Sequence, residues 1–130
     1  MKTDLMKGVI KSDRASGPVS FKALADAYVS LPSIKKQTSY DHKVTVVKNH
    51  FLPCFGGKLV TMITPTMIEI YREKRREKRT WFGTTPKPAT LNRERTLLKH
   101  MFGYAIREGW LQKNPVSYVK LEKENNVRDG

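Results

Sequence analysis

The chain has 130 residues, of which 38% are hydrophobic and 28% are charged, a composition that supports one modest hydrophobic core and excludes two. Its 25 Lys and Arg against 12 Asp and Glu give a net charge of +13. Such a charge favours a polyanionic partner, with nucleic acid first, because protein cations release counterions from phosphates. The single cysteine, Cys54, excludes an internal disulfide and a multi-cysteine zinc site, and no apolar run is long enough to span a membrane.

The positive charge is distributed along the chain rather than collected in a tail. Residues 20–60 contain six cationic and two acidic side chains, residues 61–86 contain six and three, and residues 87–110 contain five and two. This distribution indicates a basic folded domain. The alternative, a basic surface that meets only water, stays open at this point.

Nothing in the sequence predicts a catalytic or metal site. His42, His50 and His100 do not cluster, so we expect no metal and no cofactor. Cys54 lies between Pro53 and Phe55 and is interpreted as a small core residue rather than a nucleophile. The sequence contains no phosphate loop, nucleophile elbow or H-E-x-x-H motif, and its start lacks the apolar core of a signal peptide. We therefore expect a cytoplasmic protein without enzymatic activity of its own.

The first predicted helix follows a tail. Residues 1–19 mix charges with Ser, Gly and Pro and are predicted to be a flexible arm or linker. Ser20 is a candidate N-cap, and the helix is predicted to end near Leu31 because Pro32 stops it. Its inward face is formed by Phe21, Leu24, Ala25 and Tyr28.

The second helix is predicted from about Thr38 to Leu52, with Pro53 ending it. Its apolar stripe consists of Tyr40, Val44, Val47 and Phe51. The opposite face is polar and lies near several lysines; it contains Thr38, Asp41, His42, Thr45 and Asn49, with Lys35, Lys36, Lys43 and Lys48 close by.

The third helix is predicted to begin at Thr64-Pro65, because Thr caps well and Pro fits the first helical position. Residues 72–79 read REKRREKR, which we interpret as a solvated helix end held by Glu–Arg and Glu–Lys pairs in preference to a binding face. Residues 80–88 are predicted to be a loop in which Trp81 and Phe82 pack on the domain.

The fourth helix is predicted from about Pro88 to Glu108, with Gly109 as the C′ glycine and Trp110 folding back on the last turn. Its inward side consists of Leu91, Leu98, Phe102, Ala105 and Ile106. Asn114-Pro115 begins a short final turn, and a loose polar tail follows from Glu122. Since no segment alternates like a strand, the prediction is an all-α bundle of four main helices.

One face of the fourth helix carries side chains that suit duplex DNA. A helical wheel places Asn92, Thr96, Lys99, His100, Gly103 and Arg107 together, opposite the apolar stripe, with Arg93 beside them. Arg and Lys hold phosphates or guanine, Asn pairs with adenine, and Thr contacts phosphate or the thymine methyl group. The start of the helix could add backbone N–H groups for a phosphate. The candidate DNA-binding residues are Lys35, Lys36, Thr38, His42, Lys43, Thr45, Asn49, Lys87, Thr90, Asn92, Arg93, Thr96, Lys99, His100 and Arg107.

Several short motifs, in order and at fitting spacings, resemble the core-binding domain of tyrosine recombinases, the phage integrase family. These are the Leu52–Gly56 turn, the Ile63–Pro65 helix start, the Thr-x-Asn-Arg sequence at Thr90–Arg93, Gly109, and Asn114-Pro115. The resemblance covers roughly residues 20–120 and implies a SAM-like bundle of four or five helices. It also implies that the second and fourth helices face the major groove of a recombination core site.

The same resemblance implies what would accompany the domain. A separate catalytic domain, expected to start just after Arg128, would supply the nucleophilic tyrosine, so none of the five tyrosines here is assigned that role. Residues 121–130 would be the linker to it, and 1–19 the stub after an arm-binding module. The expected partners are double-stranded DNA, that catalytic domain and neighbouring recombinase protomers in the bacterial cytosol or nucleoid, with no membrane.

Two questions remain open at this stage: the role of Arg95 and the function of the domain. Where the family usually has an aliphatic residue two positions after its Thr-x-Asn-Arg sequence, this chain has Arg95. Either the helix is rotated slightly, or Arg95 extends its aliphatic part over the core and pairs with an acid. The alternative function is a basic helical protein–protein interaction module without specific DNA binding.

Overall fold

The computed structural model describes residues 18–77 and 85–123. Within these ranges the structure contains no strand, which confirms the all-α prediction. The helices are α1 (Phe21–Val29), α2 (Pro32–Lys35), α3 (Tyr40–Val46), α4 (Leu52–Phe55), α5 (Pro65–Glu77) and α6 (Pro88–Arg107). A π turn at Val47–Phe51 joins α3 to α4, and short 3₁₀ turns lie at Val60–Met62 and Pro115–Tyr118.

The first helix is confirmed from its cap to its buried face. The Ser20 hydroxyl accepts a hydrogen bond from the Ala23 N–H at 3.1 Å, and all four residues of the predicted face are buried. Val19 also belongs to the folded unit, because its carbonyl accepts from the Val60 N–H at 2.8 Å. The part of the predicted flexible arm before residue 18 lies outside the described residues.

Pro32 and Pro53 were predicted to end helices, and in the structure each belongs to the first turn of a short one. Pro32 begins α2, where its missing N–H costs nothing. The prediction that the second helix ends at Pro53 is wrong: the helical path runs on to Phe55. In the intervening π turn the Leu52 N–H donates to the Val47 carbonyl five residues back, so Pro53 falls in a new first turn that needs no donor from it.

An aromatic cluster forms the centre of the core. The ring of Phe21 lies 6.3 Å from Phe51, 5.5 Å from Phe55 and 5.9 Å from Phe102, measured between centroids. These spacings fit offset and edge-to-face packing. Residues from α1, the π turn, α4 and α6 therefore contact one another in the core. These contacts fix the position of α6 relative to the helical segment formed by α3, the π turn and α4.

The start of α5 and the end of α6 were predicted correctly. The Thr64 hydroxyl accepts from the Met67 N–H at 3.2 Å, as expected of an N-cap. Gly109 has φ +83, its N–H donates to Ile106, and the Trp110 N–H donates to Ala105 at 2.9 Å. This pair of bonds is a Schellman motif, and it places the Trp110 ring 5.6 Å from that of Tyr104.

The prediction that the second half of α5 is a solvated end held by its own Glu–Arg pairs is confirmed for the Arg76–Glu73 pair, but it is wrong for Arg72 and Arg75, whose partners lie on other elements. Arg75 binds the buried carboxylate of Glu94 on α6, with an N–O distance of 2.8 Å. Arg72 and Arg76 both pair with Glu122, in the segment predicted to be a loose tail. The end of the predicted helix at residues 78 and 79, and Trp81 and Phe82 of the predicted loop, lie outside the described residues.

One of the two alternatives for Arg95, that it pairs with an acid, is wrong. Its guanidinium donates to the backbone carbonyls of Val119 at 2.7 Å and Val116 at 3.2 Å. Its partners are therefore carbonyls of the C-terminal turn rather than an acid.

None of the helices described is long and apolar enough to cross a membrane.

Candidate nucleic-acid interface

An open cleft lies between α3 and the first half of α6 and brings the two predicted DNA-facing helices together. Its volume is about 520 Å³. The residues that line it are Lys43, Ala89, Asn92, Arg93, Thr96, Leu97, His100 and Leu121. Six of these lie on α6, Lys43 comes from α3, and Leu121 comes from the C-terminal segment. We call this feature the α3–α6 cleft.

Of the candidates on the second helical segment only Lys43 lines the cleft, while the polar face beside it is exposed, as predicted. His42, Thr45 and Asn49 all face solvent. The Thr45 hydroxyl donates to the Asp41 carbonyl at 2.9 Å, so its hydrogen is engaged while its oxygen can still accept. Lys43 is half-buried and its ammonium group donates to the side-chain carbonyl of Gln37.

Three further candidates precede α3 in the chain. Lys35 lies in the last turn of α2, Lys36 is the C-cap of that helix, and Thr38 belongs to the turn that leads to α3. All three are exposed. They extend the polar surface from α3 towards α2.

The α6 side of the cleft contributes Arg93, Thr96 and His100, all of which are exposed, and Lys99 is exposed on α6 without lining the cleft. No carboxylate pairs with Arg93 or Lys99 anywhere in the described ranges. Such cations keep their full charge for an external anion.

The remaining α6 candidates lie at its ends. Lys87 is the N-cap residue, exposed and without a side-chain capping bond, and Thr90 is half-buried in the first turn. Arg107 lies at the other end, roughly 30 Å away on a helix of 20 residues. Its guanidinium stacks 5.0 Å from the centre of the Tyr104 ring. Arg107 is therefore not part of the α3–α6 cleft.

The acidic side chains of the described chain are concentrated elsewhere. Within residues 18–77 and 85–123, no carboxylate lines the α3–α6 cleft. Glu69, Glu73 and Glu77 lie together on α5, beside a separate depression that Glu122 also lines. The α5 depression mixes acidic and basic side chains, whereas the charged side chains that line the α3–α6 cleft in the described ranges are cationic.

The assignment of Asn92 to the exposed face of α6 is wrong. Asn92 is only 7% exposed. Its side-chain amide donates to the Glu122 carbonyl at 2.9 Å, and its oxygen accepts from the Glu122 N–H at 2.7 Å. The C-terminal segment thus packs over Asn92 and removes its amide from the open surface.

The residues that sequence reasoning missed are those that order this segment. Glu94 was not identified as buried, and Glu122 was assigned to a tail. The one available signal was the spacing of Arg72, Arg75 and Arg76, three and four residues apart, which puts all three guanidinium groups on one side of α5. This row of arginines on α5 predicts an acidic partner, but it does not indicate which residue that partner is.

In the described part of the chain, no group of three His, Cys, Asp or Glu side chains is placed to hold a metal ion. The most perturbed phenol is that of Tyr71: burial, and then the neighbouring Glu94, raise its pKa well above the ordinary value. Tyr71 is a residue of α5 whose side chain is buried in the core. Its raised pKa is therefore a consequence of burial and does not indicate a reactive group.

Comparisons with known proteins identify similar solved structures but no matching family model or curated sequence. Three solved structures do match. A fragment of a Clostridium leptum protein matches with a TM-score of 0.64 and 22% identity, over 80% of this chain and 89% of the fragment. A domain from a putative phage integrase of Nitrosospira multiformis matches with a TM-score of 0.64 and 21% identity, over 82% of this chain and 85% of that one.

The third match is lambda integrase, solved as a dimer bound to a core site. The TM-score is 0.69 at 18% identity, over 85% of this chain and 30% of the lambda integrase chain. Identities this low show a shared fold and nothing finer. The chain has the helical, core-binding-like fold that these integrase structures contain, as the resemblance of its motifs predicted.

Proposed function

We propose that this chain is the DNA-binding module of a site-specific tyrosine recombinase and grips one side of a recombination core site during DNA integration. The observation that carries the proposal is the α3–α6 cleft, which no described carboxylate lines and at which Arg93 presents an unpaired charge. Lambda integrase, which matches in fold, was solved bound to a core site.

The side chains around the cleft divide into two groups by chemistry. Cations hold phosphates and fix the position of the protein on a duplex, while neutral polar groups read base edges. Arg93 and Lys99 on α6, with Lys35 and Lys36 beside α3, are proposed to hold phosphates. Thr96, His100, His42 and Asn49 supply the neutral donors and acceptors.

The module has no catalytic role in this proposal. A further domain of the same protein would supply the nucleophile, with the residues from 121 onward as the linker to it. Neighbouring protomers on the DNA complete the set of partners. These features come from the resemblance to recombinases and rest on the fold match with lambda integrase.

Charge reversal on α6 tests the proposal directly. A fluorescent duplex of about 20 base pairs is titrated at low salt and followed by anisotropy. Arg93→Glu and Lys99→Glu are each expected to weaken binding by at least about tenfold, because each replaces a phosphate contact by a repulsion. Thermal unfolding by circular dichroism checks that both variants fold.

A matched control separates position from net charge. Lys74→Glu makes the same change of charge on an exposed residue of α5 that does not line the cleft. It is expected to weaken binding by less than about threefold, through the overall field alone. Equal losses in all three variants, or no loss in either α6 variant, would remove α6 from the DNA interface.

One observation favours the alternative of a protein–protein interaction module. A second open groove, of about 530 Å³, is lined in part by Trp110, Leu111, Pro115 and the exposed Tyr118. An apolar partner in this groove would bind with little dependence on salt, whereas phosphate contacts give a steep linear fall of log K with log salt. Loss of binding to a protein partner in Tyr118→Ala, with DNA binding unchanged, would support this alternative.

A further inference from the structure

Three apolar residues line the α3–α6 cleft among its polar ones: Ala89, Leu97 and Leu121. Leu97 is only 7% exposed and belongs to the hydrophobic core, and Ala89 is half-buried. Leu121 is 60% exposed, so it is the apolar side chain that a molecule entering the cleft would contact most extensively. A single exposed leucine is common on protein surfaces, and its significance therefore depends on how it is held.

The backbone on both sides of Leu121 is fixed by polar contacts. Before it, the Lys120 carbonyl accepts a hydrogen bond from Arg72 at 2.6 Å. After it, the Glu122 carboxylate pairs with Arg72 at 2.9 Å, and the Glu122 backbone makes two hydrogen bonds with the Asn92 side chain. Ordering a chain segment costs conformational entropy, and burial of apolar surface is the usual compensation. Here polar contacts order the segment, and the leucine between them stays exposed at the cleft.

The apolar residues of the cleft lie beside Arg93. Ala89, Arg93 and Leu97 are spaced by four residues along α6, so they form one row on the helix surface. Leu121 lines the same cleft from the C-terminal segment. A duplex that contacts Arg93 would therefore meet apolar groups next to this cation.

The edges of base pairs offer one apolar substituent to such a surface. In the major groove they display hydrogen-bond donors, hydrogen-bond acceptors and the C5-methyl group of thymine. A leucine side chain neither donates nor accepts, so a phosphate or a polar base edge placed against it would lose water without gaining a hydrogen bond. A thymine methyl group gains free energy when it loses water in the same place. The chemistry of Leu121 therefore favours thymine over the other bases.

We propose, as a step that rests on the DNA-binding function above, that Leu121 is a specificity residue: it contacts a thymine C5-methyl group at the α3–α6 cleft and favours A·T pairs there. In this arrangement Arg93 supplies affinity irrespective of sequence, and Leu121 supplies a sequence preference. Removal of one methyl group from an apolar contact changes affinity by about threefold to fivefold, which sets the size of the expected effect.

The test compares two duplexes of about 20 alternating A·T pairs, one with thymine and one with uracil in place of every thymine. The two duplexes differ only in their C5-methyl groups, and the alternating sequence offers methyl groups to the cleft in every register. The wild-type chain is expected to bind the uracil duplex at least about threefold more weakly. Leu121→Ala is expected to bind the two duplexes with affinities that differ by less than about 1.5-fold, because it lacks the side chain that contacts the methyl group.

Leu59→Ala is the matched control. It makes the same substitution at a leucine that is 37% exposed and does not line the cleft. The loss of methyl groups also changes the shape and flexibility of a duplex, and that part of the effect is the same for all three proteins. Leu59→Ala should therefore discriminate between the duplexes as the wild type does. Circular dichroism checks that both variants fold.

A second measurement detects the contact without relying on affinity. In a complex of the thymine duplex with protein that carries isotope-labelled leucine methyl groups, NMR should show nuclear Overhauser effects between Leu121 and thymine methyl protons. Leu121→Ala assigns these signals, because they disappear in that variant. Effects that connect thymine methyl protons only to other leucines would contradict the proposal.

The outcomes distinguish this proposal from the DNA-binding function. If the wild type binds both duplexes equally well, or if Leu121→Ala discriminates as strongly as Leu59→Ala, the proposal is wrong although the DNA-binding function stands. If no protein binds either duplex even at low salt, both are wrong. Discrimination that is lost in Leu121→Ala and kept in Leu59→Ala supports the role of Leu121.

Discussion

At the scale of single residues, the buried charge of Glu94 is the feature that most constrains the fold. Its side chain is 5% exposed and accepts a hydrogen bond from the Tyr71 hydroxyl at 2.7 Å. The Arg75 guanidinium binds both of its oxygens, with Nε at 3.1 Å and 3.0 Å. A buried carboxylate is tolerated when it is paired and hydrogen-bonded in this way. The sequence did not predict it, because a Glu beside an Arg on a basic helix is usually solvated.

Removal of the Glu94 carboxylate should therefore be costly. Glu94→Ala is expected to lower the free energy of unfolding by about 3 kcal/mol, since it leaves Arg75 and the Tyr71 hydroxyl without partners in the core. Urea denaturation measures the change. Glu73→Ala, on the exposed face of α5, is the control and should change stability by less than about 1 kcal/mol. Equal effects of the two substitutions would contradict the role assigned to Glu94.

Tyr71 predicts how stability depends on alkaline pH. Burial and then Glu94 raise its pKa above the ordinary value of 10.0, which the unfolded chain retains. The unfolded chain ionises first, so the contribution of Tyr71 is complete below pH 10.0 and is lost as the pH rises above that value. Urea midpoints measured from pH 8 to 11 should fall more steeply in the wild type than in Tyr71→Phe. Parallel curves would assign the alkaline loss of stability to other groups.

At the scale of elements, local chemistry decides how the helices begin and end. Ser20 and Thr64 cap α1 and α5 with their hydroxyl oxygens, and both caps could be identified from sequence. The course of the chain through Pro53 could not, because the π turn before it depends on where the flanking residues pack. Val47 and Phe51, at the two ends of that turn, are both buried, and the extra residue of the turn allows both side chains to reach the core.

Two glycines of the last helical segment should respond in opposite ways to alanine. Gly109→Ala is expected to cost about 1 kcal/mol, because its φ of +83 is strained for a residue with a Cβ. Gly103→Ala is the matched control within α6: an added Cβ there meets nothing within 4 Å, so up to about 1 kcal/mol of stabilisation is expected. Both are measured by thermal unfolding. A stabilising Gly109→Ala would contradict the Schellman ending.

At the scale of the whole molecule, the fold pairs some of the cations with carboxylates and leaves others without an ion pair. Three arginines of α5 form ion pairs with Glu94 or Glu122, whereas Arg93 and Lys99 on α6 have no acidic partner among the described residues. The net charge of +13 is therefore a poor guide to the site by itself. What defines the candidate interface is the position of such cations at the α3–α6 cleft, where Arg93 has no carboxylate partner, because Lys74 on α5 is also without an ion pair in the described ranges.

The salt dependence of DNA binding should report that subset. If several phosphates are contacted, log K falls linearly with log salt, by about 0.9 for each contact. Lys99→Gln should reduce the slope by about one unit, whereas Lys74→Gln should leave it unchanged. Anisotropy titrations across a range of salt concentrations measure both slopes. A wild-type slope near zero would leave the basic surface without a phosphate contact.

The sequence by itself determined the helical class, the caps at Ser20 and Thr64, and the ending at Gly109, because each depends on interactions within a few residues. It also predicted the exposure of Arg93 and Lys99, which follows from helical periodicity. Only the tertiary structure decided that Asn92 is covered and that Glu122 is bound. Those facts depend on contacts between residues that lie 30 positions apart for Asn92 and Glu122 and 50 positions apart for Arg72 and Glu122. No local pattern encodes where a polar segment will dock, since its partners are chosen by packing in three dimensions.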